Sequence, residues 1–117
     1  MQEILQRIVD RTPGAQGAIL MGFDGIPVLQ AEAPSPSVDI EAVAMEFSFR
    51  FIELVKAAQA LELGSIHDVT IKTDRGVVIT RVLTEDYFVC LFVDDPVYLG
   101  KGRYVLRVES VGLAQQL

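Results

Sequence analysis

At 117 residues, half of them hydrophobic, the chain has enough apolar material for a core without metal or disulfide staples, and its single cysteine, Cys90, cannot form an internal disulfide. A net charge of −6 and a pI near 4.6 argue against nucleic acid and anionic membrane as partners, since both demand basic patches. No apolar run approaches the roughly 20 residues of a membrane span, so direct membrane insertion is not expected. The mean hydropathy of +0.36 is high for a small soluble protein and points to apolar surface buried between chains.

Residues 2 to 11 place Ile4, Leu5, Ile8 and Val9 on one face of a first amphipathic helix, which Thr12-Pro13-Gly14 should end. This opening stretch is charged, with no uninterrupted apolar segment, and does not read as a secretion signal. With the lone cysteine, it makes a cytoplasmic location the expectation. Gly17 to Phe23 reads as a buried strand, Asp24-Gly25 as a hairpin turn, and Ile26 to Ala31 as the returning strand. Pro27 cannot donate a ladder hydrogen bond, which assigns that strand to a sheet edge.

After the loop Ala33-Pro34-Ser35-Pro36-Ser37, Asp39 is placed to cap a long helix running to Leu63 and closed by Gly64. At about 100° per residue, Ile40, Val43, Ala44, Phe47, Phe51, Leu54, Val55, Ala58 and Leu61 gather on a side that can cover a sheet. Met45, Phe49 and Ile52 fall roughly opposite, with Glu46, Arg50 and Glu53 along one flank. A self-sufficient surface helix needs one apolar stripe. This one carries two, and the second predicts a protein partner unless loops or termini of the same chain cover it. Burying a Met, Phe or Ile is worth on the order of 1.5–3 kcal/mol. Three per chain, doubled across a two-fold axis, give roughly 9–18 kcal/mol against an association cost of about 4–15 kcal/mol.

Three strands follow, Ile66 to Thr73, Val77 to Leu83 and Tyr87 to Asp94, the last apolar on both faces and so central. Leu99 to Leu117 is a closing helix with Leu99, Tyr104, Val108, Val111 and Leu113 broadly on one side. The order predicts one α+β domain over residues 1–117, with a five-stranded antiparallel sheet and helices on both faces. The edge opposite Pro27 falls to Ile66 to Thr73, which carries no proline and presents Val69 and Ile71. An unprotected edge invites another strand.

The stretch GAQGAILMGFDGIPVLQ, the acidic start and Ala-rich body of the long helix, and LGKGRYVLR opening the last helix together resemble the Roadblock/dynein-light-chain domains of the MglB-like kind. The resemblance spans essentially the whole chain. It implies a profilin-like α-β-β-α-β-β-β-α fold and a homodimer whose middle-strand edges join two sheets. It also implies a noncatalytic regulator or platform for a Ras-like small GTPase, without a cofactor of its own. Two other roles stay open: a scaffold that leaves nucleotide chemistry unchanged, and a small-ligand sensor, for which the aliphatic core offers few convergent polar groups.

The remaining chemical candidates have plainer readings. Gly100-Lys101-Gly102-Arg103 lacks the spacing of a P-loop and reads as a glycine-rich helix entry. His67 has no Cys or second His with which to share a metal. Cys90 among Val89, Leu91 and Phe92 reads as an unreactive core thiol. Asp24 belongs to a turn, and Asp94-Asp95 falls short of a calcium loop. Arg50 is the one arginine on the outward helix face, but Glu46 and Glu53 stand a turn either side and are expected to hold it. The interface candidates are therefore Met45, Phe49 and Ile52 as anchors, Glu46, Arg50 and Glu53 as a polar rim, and Val69 and Ile71 on the strand edge. Whether the anchors meet a sister subunit or a client is open at this stage.

Overall fold

The computed structural model describes residues 1–117. Helix α1 (Gln2–Arg11) leads through Gly14, which takes a positive φ of 78°, into the hairpin β1 (Ala15–Gly22) and β2 (Pro27–Glu32). Helix α2 (Ile40–Ala60) crosses to strands β3 (Asp68–Thr73), β4 (Gly76–Val82) and β5 (Tyr87–Val93), and a 3-10 turn at Pro96–Tyr98 opens α3 (Leu99–Gln115). The strands form one antiparallel sheet in the order β2-β1-β5-β4-β3. The proline-bearing strand β2 is thus one edge and β3 the other, with β5 between β1 and β4, as the sequence predicts.

Two cores lie on the two faces of the sheet. Alternation sends Ala18, Ile79, Val89 and Leu91 to one side, where they meet Ile4, Leu5, Ile8 and Val9 of α1 and Val105, Leu106 and Leu113 of α3. It sends Ile19, Met21, Val78, Phe88 and Cys90 to the other, under Ala44 and Phe51 of α2. There Phe88 packs between Phe51 and Phe23, with ring centroids 5.0 and 4.9 Å away. Gly17 admits α2 to the sheet: a Cβ at this position would stand 2.6 Å from Ile40.

Asp39 caps α2 as expected, its carboxylate accepting from the Ala42 N–H at 3.1 Å. The other end differs from the reading that Gly64 closes it. The last turn is completed by Glu62 in the left-handed region (φ 59°), with Glu62 N–H bonding Gln59 O at 3.1 Å and Leu63 N–H bonding Ala58 O at 2.9 Å.

Both long helices correct the apolar-wheel reading. On α2 the side against the sheet includes Ser48, which is buried, while Leu54 and Leu61 are exposed. On α3 the buried positions are Gly102, Val105, Leu106, Glu109, Ser110 and Leu113, whereas Tyr104, Val108 and Val111 face outward. Small side chains set the approach. Gly102 lets α3 close on β4, where a Cβ would meet Ile79 at 2.9 Å.

Candidate partner interface

Helix α2 rests mainly over β1 and β5 and leaves the sheet uncovered toward β4 and β3. Val69 and Ile71 of β3 and Val82 of β4 are only half-buried on that side. Between Val82 and the second half of α2 lies an open groove of about 450 Å³, lined by Phe23, Ile52, Val55, Ile66 and Val82 and equally by the polar Lys56, Gln59, Ser65, Thr84 and Glu85. The outer edge of β3 has no neighbouring strand, so its outward backbone groups are unpaired within the sheet.

The outward face of α2 continues this surface. Met45 and Phe49 are 44% and 61% exposed, costly positions for large apolar side chains in water. Ile52 is displaced from the expected stripe: it is half-buried and packs against the core beneath α2, forming one wall of the groove. Glu46, Arg50 and Glu53 are all exposed. Arg50 approaches Glu46 at 3.7 Å, one helical turn away, and its guanidinium lies 5.8 Å from the Phe49 ring centroid. Glu53 enters no ion pair, so the two-sided clamp expected on Arg50 is one-sided. The structure therefore assembles an apolar shelf, an open strand edge and a charged rim on contiguous elements, with no arrangement of nucleophile, base and orienting group among them.

The residues with plainer readings behave accordingly. Cys90 is buried, with Thr80 Oγ1 at 3.0 Å, and burial pushes its thiol up to about 11. Asp24 accepts from the Ile26 N–H at 3.0 Å, and Gly25 takes φ 86°, completing the hairpin turn. Asp95 caps the 3-10 turn by accepting from Val97 N–H at 3.0 Å. His67 is exposed and extends the β3–β4 ladder through its carbonyl, which accepts from Val82 N–H at 2.9 Å.

Two side-chain networks escaped the reading of the sequence. Arg7 and Arg11 both donate to the carboxylate of Glu109, at 2.8 and 2.7 Å, tying α1 to α3. Their hydrogen bonds hold Glu109 below the usual carboxylate range despite its burial. The side-chain amide of Gln16 donates to Asp94 at 2.9 Å while its oxygen accepts from Ser37 N–H at 2.7 Å, pinning the proline-rich loop before α2. The one advance signal for the first network was two arginines spaced four apart on α1. The second left none.

The two-sided sheet and its open edge define the profilin-like Roadblock class of domain. Across 98% of its length the chain is 30% identical to MglC from Myxococcus xanthus, covering 97% of that protein with a TM-score of 0.72. It is 22% identical to the gliding protein MglB from Thermus thermophilus over 97% of its length and 84% of that chain, with a TM-score of 0.80. The Roadblock/LC7 domain from Streptomyces avermitilis is 12% identical over 99% of this chain and 96% of that one, with a TM-score of 0.75. No family model matches the chain, and no curated protein matches it significantly. The chain belongs to the Roadblock/MglB-like family.

Proposed function

We propose that residues 1–117 act as one domain, a noncatalytic cytoplasmic homodimer that docks and regulates a Ras-like small GTPase. The reading rests on the outward exposure of Met45 and Phe49 beside the open β3 edge. Pairing β3 with β3 of a second copy satisfies both edges at once and brings the half-buried Val69 and Ile71 of each subunit under the other. The groove beside Ile52 then receives apolar side chains from the sister helix, and the part of the α2 face left uncovered, rimmed by Glu46, Arg50 and Glu53, serves the client. Membership of a family that includes MglB and MglC supports the choice of a small GTPase.

Stimulation of GTP hydrolysis in this reading comes from reshaping the GTPase. Arg50 stands 3.7 Å from Glu46 in a loose, exposed pair that leaves its guanidinium mobile, so the choice between reshaping and an inserted arginine falls to the Arg50→Ala variant. The test is co-elution with, and GTP turnover by, a small GTPase encoded beside this chain. Nucleotide-dependent binding with faster hydrolysis is the expected result, and Arg50→Ala should preserve both. Binding with unchanged hydrolysis and exchange selects the scaffold reading instead. Failure to bind in either nucleotide state removes the proposal.

A further inference from the structure

The strongest unassigned feature lies on the opposite face of the sheet, where α3 begins. Asp68 and Arg81 stand directly across the β3–β4 ladder, and α3 brings Arg103, Tyr104 and Arg107 over them. Together they line an open groove of about 400 Å³ over the buried Ile79 and Leu106, with half-buried Leu99 and the exposed Tyr104 ring as its accessible apolar floor. The chain is acidic overall, yet this groove holds three arginines and one carboxylate, with Lys101 beside it over the Tyr104 ring at 5.6 Å. Helix α3 exposes no acidic side chain, because its only one, Glu109, is buried.

Glu109 shows how this fold neutralises arginines that serve structure alone, with contacts of 2.7 and 2.8 Å to a covered carboxylate. At Asp68 the same chemistry is loose. Arg103 stands 3.7 Å and Arg81 3.8 Å from its two oxygens, beyond charge-assisted hydrogen-bond range. Arg107 has no carboxylate partner, only the Tyr104 ring at 5.8 Å. Guanidinium forks without a tight carboxylate partner match incoming carboxylates two atoms at a time.

We propose that this groove binds an acidic segment of a protein partner, with carboxylates on Arg81, Arg103 and Arg107 and an apolar side chain on the floor beside Tyr104. The apolar floor favours such a segment over inorganic phosphate, which would engage the arginines alone. Nucleic acid is disfavoured because its phosphates would meet the field of an otherwise strongly acidic chain. The assignment does not depend on the reading of α2 and the β3 edge as the dimer and GTPase surface.

The test uses the full chain, isotopically labelled, titrated with a synthetic peptide of alternating Glu and Leu and with the matching Gln–Leu peptide. Saturable shifts of the Asp68, Gly100 and Arg103 amides with the first peptide and not the second are expected. Affinity should fall with added salt and by about tenfold in R103E/R107E, whose side chains are exposed and whose melting temperature should be unchanged. If the double variant melts early, R107Q serves in its place, with a smaller loss expected. Equal binding of the Gln peptide, shifts elsewhere on the surface, unchanged affinity in the variants, or inorganic phosphate reproducing the same shifts at the same concentration would each overturn the assignment.

Discussion

Arg7 Nε and Nη2 both lie 2.8 Å from a single oxygen of Glu109, 102 residues further along the chain, with the carboxylate 9% exposed. That contact ties the first helix to the last across the core they share, and Arg11 fills the other oxygen.

Stability should therefore fall in acid. The folded state holds Glu109 below its unfolded value, so its contribution is complete above the unfolded carboxylate range and is lost as pH drops through the folded value. Glu109→Gln should cost about 1 kcal/mol near neutral pH, lowering the midpoint by about 4 °C, since the arginines are half-exposed and screened. The gap between variant and wild type should shrink toward pH 3 in thermal melts. A gap that stays constant across the range would detach the carboxylate's charge from stability.

Gly17 carries a second structural prediction. Gly17→Ala places a methyl within 2.6 Å of Ile40 and should destabilise by about 1–3 kcal/mol. Ile40→Ala is itself destabilising, but in the Gly17→Ala background the two costs should sum to less than their separate values, and additive costs in chemical denaturation would contradict the contact.

Cys90 should resist thiol reagents in the native state at pH 8, because burial keeps its thiol protonated to about 11 and the side chain is covered. Modification should proceed at the rate of unfolding. Prompt labelling of folded protein would show that β5 opens locally.

These expectations separate what the sequence made legible from what it hid. Element order was readable because α1 follows a clean helical period, the strands are short apolar and β-branched runs, and Pro27, Asp24-Gly25 and Asp39 punctuate them with unambiguous backbone chemistry. The faces of α2 and α3 were harder. Hydrophobicity placed Leu54 and Tyr104 inward, whereas close packing placed Ser48, Gly102 and Ser110 there, and Glu109 went in only because two arginines from α1 met it. Met45 and Phe49 lie where the wheel put them, outward, but Ile52 shifts to the groove wall because α2 covers only part of the sheet. The arginine groove joins Asp68, Arg81 and Arg107, which only the β3–β4 register and the docking of α3 bring together.

Phe49→Glu follows from the outward face itself. The side chain is exposed, so the unfolding free energy extrapolated to low protein concentration should stay within about 0.5 kcal/mol of wild type. Any self-association through α2 should weaken by about 2 kcal/mol or more. A large loss of monomer stability would mean that the ring is covered by its own chain in solution.

Sedimentation equilibrium of the wild type beside M45E/F49E and I71K addresses the central claim most directly. A concentration-dependent dimer that both variants dissociate into folded monomers is the predicted result. A wild type that sediments as a single subunit at every concentration, indistinguishable from the variants, would contradict it.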